Sequence, residues 1–311
     1  MNFKNILVIR NDRFGEFLLN IPAIRALKEL YPQAKLTLAV NSTVYELAGA
    51  VECVDAVVVW DEVKGSLRKY KFDLCVVLNP TKEAHWAVFW AGIPTRVGYD
   101  RKWGFLLTHK LKDTKHLGNR HEVDCNLELV ELIGARTRNK SISIKVDETL
   151  FPGLSGQKII VIHPFTSDPV KQWPVERFKE LAKRIMEDRG QSPAGTVPFK
   201  VKVVIVGRVE DRGQSPAGTV PLFTEAGDGI ISMINKTSLV ELAALFKRCS
   251  LLISGDSGPV HLAAAVGTPV IALFRNDLLG KTAKRWGPWG DGHVVIEKSS
   301  LEDINVDEVL E

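Results

Sequence analysis

The sequence predicts an α/β protein made of two domains, each a doubly wound parallel sheet. Three observations carry this expectation. Short apolar runs alternate with amphipathic stretches along the whole chain. Its 311 residues exceed what one hydrophobic core usually holds. A stretch with Pro152, Gly153 and Gly156 interrupts the alternation near the middle. Such alternation means βαβ units joined by right-handed crossovers.

In chain order, Ile6–Arg10 reads as a strand and Glu16–Leu30 as a helix that stops before Tyr31-Pro32. Leu36–Val40, Ala56–Trp60 and Leu74–Leu78 read as further strands. His121–Ile133 reads as a helix, with Val123, Leu127, Val130 and Ile133 on one face. Around Val146–Gln157 the chain becomes loop, and a second series begins at Ile159–Ile162. We therefore expect domains at 1–153 and 154–311. In the second, Val203–Val206, Leu251–Ser254 and Val270–Phe274 read as strands, with a helix starting near Pro174 and another at Leu262–Val266. Leu301–Leu310 reads as a weakly amphipathic last helix.

Composition narrows the function classes. The chain is 45% hydrophobic and 25% charged, an ordinary globular balance. No apolar run approaches the roughly 20 residues of a spanning helix. The strand at Ile6 begins too early for a signal peptide, so a cytoplasmic location is expected. Cys53, Cys75, Cys125 and Cys249 are scattered without a CxxC pair, which argues against zinc or a disulfide framework. A net charge of +4 permits attraction to anionic lipid or phosphorylated substrates without demanding it. No basic run interleaved with aromatics points to nucleic acid.

The most informative stretch is Gly255-Asp256-Ser257-Gly258-Pro259-Val260-His261, set between an apolar strand and a helix. Ser257 suits an N-cap and Pro259 the first turn. A helix start points free N–H groups at one spot, a natural seat for a diphosphate. His261 on that turn could add a donor. A capped helix with no ligand fits this local pattern equally well. At the other end of the chain, Asp12 and Glu16 follow the first strand, where ligands bind in open α/β domains. A carboxylate there could take a proton from a hydroxyl, or simply complement a helix dipole. Gly15 stands alone, so the GxGxxG dinucleotide fingerprint is absent and a nicotinamide oxidoreductase is disfavoured. Lys171, between a strand and a helix, could neutralise phosphate or be a solvated surface lysine. Trp286 and Trp289 could cover a sugar or a base; packing is the favoured reading.

The segment Thr237–Leu245 followed by GDSGPVHLAAAVGTPVIALF resembles the lipopolysaccharide heptosyltransferase family, glycosyltransferase family 9. Four other stretches are similar to that family in the same order: Ile9–Glu16, Gly92–Tyr99, His163–Thr166 through Lys171–Pro174, and Arg285–Pro288. The resemblance implies the GT-B architecture, two Rossmann-like domains facing an interdomain cleft. It implies inverting transfer of heptose from ADP-heptose to a lipid-linked saccharide acceptor at the inner membrane. No cofactor or metal is implied, because the helix start and Lys171 do the neutralising. By the resemblance, Thr166, Lys171, Asp256, Ser257, Gly258 and His261 bind the donor. The family's catalytic base is an Asp; here Glu16 occupies the matching position, one methylene longer, with Asp12 as the alternative. The motifs read diphosphate rather than base or sugar. Another nucleotide sugar, or a non-catalytic nucleotide-sugar binder, therefore remains open.

One feature has another origin. Glu187–Pro198 recurs unchanged at Glu210–Pro221. Two copies make no solenoid, which needs at least three stacked units. We expect a duplicated insertion in surface loops, where added length costs little closure entropy. The second copy follows Val206-Gly207, where the resembling family has a Gly-rich loop near the nucleotide.

Overall fold

The structure, a computed structural model, describes residues 2–154, 156–187, 201–208 and 230–311. Apart from Glu187, both copies of the duplicated segment lie outside the described residues. The chain divides into two compact units, Met1–Lys145 and Val146–Glu311.

In the first unit the strands are β1 (Asn5–Ile9), β2 (Lys35–Val40), β3 (Ala56–Val59), β4 (Leu74–Val77), β5 (Thr95–Tyr99) and β6 (His109–Leu111). They form one sheet in the order β3-β2-β1-β4-β5-β6, every pairing parallel. The second unit contains β7 (Lys158–His163), β8 (Val201–Ile205), β9 (Ile230–Ser232), β10 (Leu251–Gly255), β11 (Val270–Arg275) and β12 (Val294–Lys298). Their order is β12-β11-β10-β7-β8-β9, again parallel. Counted from its own first strand, each sheet runs 3-2-1-4-5-6. That is the doubly wound order whose ligand crevice opens where strand 1 meets strand 4. The central strands read as unbroken apolar runs because parallel sheets are covered on both faces. Ile6, Leu7, Val8 and Ile9 are wholly buried, as are Ile159, Val161 and Ile162.

The helix expected at Glu16–Leu30 is two helices, α1 (Phe14–Leu18) and α2 (Ile21–Leu30). Pro22 has no N–H to return to the preceding turn, so it starts a helix instead of continuing one. Asn20 fills the break by donating its side-chain amide to the carbonyls of Glu16 and Phe17. The last helix is also shorter than expected: a 3₁₀ turn at Leu301–Asp303, then Val306–Leu310. Asn305 restarts it through a reciprocal cap with Glu308. Trp60 leaves the third strand to begin a short helix, Trp60–Val63. His121 caps the helix Glu122–Glu131 by accepting from the Val123 N–H.

The second core centres on Trp173, which is fully buried. Its ring meets Phe178 edge-on at 4.6 Å, and its Nε1 donates to the Ile304 carbonyl at 3.0 Å. This contact pins the loop carrying Lys171 to the C-terminal segment. Trp173→Ala is expected to lower unfolding free energy by about 3–5 kcal/mol, read as a fall in denaturant midpoint. A change below 1 kcal/mol would show that the core closes around the loss.

Candidate functional site

The second unit gathers residues at the carboxyl ends of β7 and β10, its switch point. β10 ends in Gly255, Asp256 and Ser257 follow, and a helix (Gly258–Ala265) begins. Ser257 occupies the N-cap position but its side chain makes no capping bond. Its hydroxyl instead donates to the Gly255 carbonyl at 3.1 Å and lies 2.9 Å from Ser254 Oγ and 3.3 Å from His163 Nδ1. The cap expected from sequence is therefore made by position and not by the side chain. The helix start keeps first-turn donors that a capping hydroxyl would have taken.

Lys171 lies at the end of a 3₁₀ turn, Pro169–Lys171. Its Nζ is 2.5 Å from Asp256 Oδ2, and both side chains are largely buried. Burial pushes the Asp256 carboxyl up, while the Lys171 ammonium opposes that shift. The pair fixes the lysine beside the helix start. The approach is tight at Gly255, where a Cβ would come within 3.3 Å of the Lys171 carbonyl. Thr166 is half-buried, and its hydroxyl accepts from the Asp168 N–H at 3.2 Å. His261 sits on the first turn with 5% exposure. The structure thus brings Lys171 to Asp256, next in the chain to Ser257 and Gly258, and seats Thr166 in the same β7 loop.

Two neighbours escaped the sequence reading. Lys281 reaches to 3.7 Å from Asp168 Oδ2, adding a second cation to this rim. Gln172 holds the loop closed through its Nε2, which donates to the carbonyls of Pro164 and Trp173. Gly207 has φ +152°, and a Cβ there would lie 2.1 Å from the Phe165 ring. The glycine that precedes the second copy therefore packs directly beneath the β7 loop.

The first unit has its own switch point, between β1 and β4. Arg10 is buried at the end of β1, with Nε 2.6 Å from Asp12 Oδ1 and Nη1 donating to the Leu78 carbonyl after β4. Asn79 donates to Asn11 Oδ1 at 3.1 Å, and the Asn41 side-chain amide donates to the Asp12 carbonyl. Asp12 is thereby committed to Arg10. Glu16, on α1, is half-buried and has no ion pair among the described residues. Burial raises its carboxyl above the ordinary range, helped by the Asp12 charge and opposed by Arg10. Of the two carboxylates, Glu16 has the properties of a proton acceptor and Asp12 those of a guanidinium anchor.

Close to them lies a buried network that sequence reasoning did not single out. Lys115 Nζ is 2.5 Å from Glu122 Oε1 and 2.9 Å from Asn126 Oδ1, and sits 4.3 Å from the centroid of the Tyr99 ring. Asn126 donates to the Leu19 carbonyl, which fixes the break between α1 and α2. Burial pushes the Lys115 ammonium down, and Glu122 holds it up. No sequence signal separates this lysine from its solvated neighbours, because Glu122 and Asn126 converge on it only in the folded chain.

Burial pushes the His163 imidazole from 6.5 down to about 4. Between those values the unfolded chain binds a proton that the fold refuses. His163 therefore adds stability above pH 6.5 that is lost as pH falls toward 4. The raised carboxyls of Glu16 and Asp256 act in the opposite sense. The difference between wild type and His163→Asn isolates the histidine. The melting temperature of the variant is expected to fall less than that of the wild type from pH 7 to pH 5; parallel slopes would refute the assignment.

The sequence profile of glycosyltransferase family 9 (heptosyltransferase) matches residues 60–308. The lipopolysaccharide core heptosyltransferase OpsX of Haemophilus influenzae is 23% identical over 293 residues, 87% of this chain and 79% of its own. Among solved structures, E. coli ADP-heptose lps heptosyltransferase II aligns with a TM-score of 0.80 at 21% identity, over 98% of this chain and 96% of the other. E. coli heptosyltransferase WaaC with ADP aligns at 0.77 and 15% identity, over 98% of both chains. These structures share the GT-B-like fold of two parallel-sheet units seen here. With most of its length inside the family profile, this chain belongs to glycosyltransferase family 9, the heptosyltransferases.

Proposed function

We propose that this chain is an inverting, metal-independent transferase that moves heptose from ADP-heptose to the lipopolysaccharide inner core. The observation that carries this reading is the uncapped helix start at Ser257-Gly258 with Lys171 held beside it by Asp256. Backbone N–H groups and one ammonium at a parallel-sheet switch point suit a diphosphate. A solved relative, E. coli heptosyltransferase WaaC, is seen with ADP, which supports adenine as the base. In this reading residues 154–311 hold the donor and residues 1–153 the acceptor. The protein works in the cytoplasm, peripheral to the inner membrane.

The chemistry follows from the two sites. Glu16 takes the proton of the acceptor hydroxyl. The acceptor oxygen bonds to the anomeric carbon from the face opposite the diphosphate. The carbon–oxygen bond to the diphosphate breaks, and ADP leaves with the electron pair. Lys171, the first-turn N–H groups and His261 stabilise the charge that develops on the leaving oxygen, while Thr166 donates its hydroxyl to the donor.

Glu16→Gln is expected to lower kcat by about 10²–10⁴-fold with ADP affinity unchanged. A kcat within threefold of wild type would remove Glu16 from the role of base. Lys171→Met alone would strand the Asp256 carboxylate, at about 3–5 kcal/mol, so it is paired with Asp256→Asn. The double variant is expected to fold and to lose most of the stabilisation that ADP confers on wild type in a thermal melt. Full retention of that stabilisation would place the diphosphate elsewhere.

A further inference from the structure

The helix Lys82–Trp90 is built inside out. It buries Ala84, His85 and Val88 against the sheet and exposes Trp86, Phe89 and Trp90. The spacing i, i+3, i+4 puts those three rings on one outward face, where a surface helix normally carries polar residues. The rings are joined to one another. Trp86 lies 5.4 Å from Trp90, 6.5 Å from Phe89 and 5.5 Å from Trp103 of the loop between β5 and β6. Two residues further along that loop, Phe105 is 73% exposed, and Trp90 is 65% exposed. A connected exposed aromatic surface of this kind marks an interaction site.

Charge decides the partner. Lys82 lies over the Trp103 ring and Arg96 over the Phe89 ring. Lys102 is exposed next to Trp103. Residues 82–120 hold eight lysines and arginines against three acids. Lys115 and Arg120 are paired with Glu122 and Glu128 just beyond the segment, which leaves a net +3 in a chain of +4. Most of the excess positive charge of the protein thus sits in the segment that bears the exposed rings. A second copy of this chain would set like charge against like. A bilayer interface with anionic headgroups accepts both components, since Trp and Phe partition into the interface while Lys and Arg meet the headgroups. Among the described residues no helix is long and apolar enough to cross a membrane.

We infer that the face formed by Trp86, Phe89, Trp90, Trp103 and Phe105, flanked by Lys82, Arg96 and Lys102, docks this protein peripherally on an anionic bilayer. The inference rests on the surface itself and holds whichever sugar is transferred. The patch lies at the β5–β6 side of the first sheet.

The test is co-sedimentation of the full chain with vesicles of phosphatidylcholine, with or without one-third phosphatidylglycerol. Wild type is expected to bind the anionic vesicles with a blue shift of its tryptophan emission, and to bind pure phosphatidylcholine at least tenfold more weakly. Trp90→Ser with Phe105→Ser is expected to cut anionic binding at least tenfold. Lys82→Glu with Lys102→Glu should weaken it by more than the roughly fivefold expected for each lost cation, and raised salt should act in the same direction. ADP stabilisation of these variants, measured in parallel, should match wild type and shows that the fold is intact. No binding of wild type to anionic vesicles, or equal binding by the variants, overturns the inference. So does a wild-type dimer that the aromatic variant converts to monomer without any vesicle binding. If vesicles bind but ADP does not, the donor assignment fails while the docking surface stands.

Discussion

Parallel pairing of strands that do not follow one another in the chain is the constraint on which both candidate sites rest. β1 lies against β4, and β7 against β10, because each sheet is wound outward in two directions from its first strand. The crossovers on either side of that junction leave in opposite directions and open a crevice at the carboxyl ends between them. The loops released there must satisfy their own polar groups. In the first unit Arg10 does this by spanning from Asp12 to the Leu78 carbonyl. In the second, Lys171 and Asp256 do so across the same kind of gap.

The two junctions are electrically different, and the difference follows from local residues. After β10 the helix start stands beside Lys171, paired with Asp256, and Lys281, paired with Asp168, while burial pushes the His163 imidazole down to about 4. Ser257 turns its hydroxyl inward to Ser254 and His163 instead of capping its helix. After β1, Glu16, a carboxylate without an ion pair among the described residues, stands beside a paired one, and burial raises its affinity for a proton. In the proposed reaction the second junction would take the donor's diphosphate and the first the acceptor hydroxyl.

Much of this was legible in the sequence because the core strands are long and apolar. Leu251–Ser254 and Ile159–Ile162 admit few readings besides buried strands, and Asp-Ser-Gly-Pro marks the turn between strand and helix. The edges were harder. β5 (Thr95–Tyr99), β6 (His109–Leu111) and β12 (Val294–Lys298) mix polar and apolar residues because they sit at or near sheet edges, and periodicity is weak there. Pro22 marked the division of the first helix, but the apolar spacing from Leu18 to Leu27 masked it. The pairing of Lys171 with Asp256 and the convergence of Glu122 and Asn126 on Lys115 join residues distant in sequence, so composition and spacing hold no trace of them. The exposed rings of the helix Lys82–Trp90 invert the usual rule, and a helix that hides alanines behind tryptophans reads from sequence as if it were buried.

The claim that unites these observations is transfer of a heptosyl unit from ADP-heptose by this chain. The most direct measurement is mass spectrometry of a heptose-deficient lipopolysaccharide core acceptor after incubation with the purified protein and ADP-heptose. The account predicts a product heavier by one heptosyl unit, formed from ADP-heptose and not from UDP- or GDP-linked sugars. An acceptor left unchanged by ADP-heptose but extended from another nucleotide sugar would contradict it.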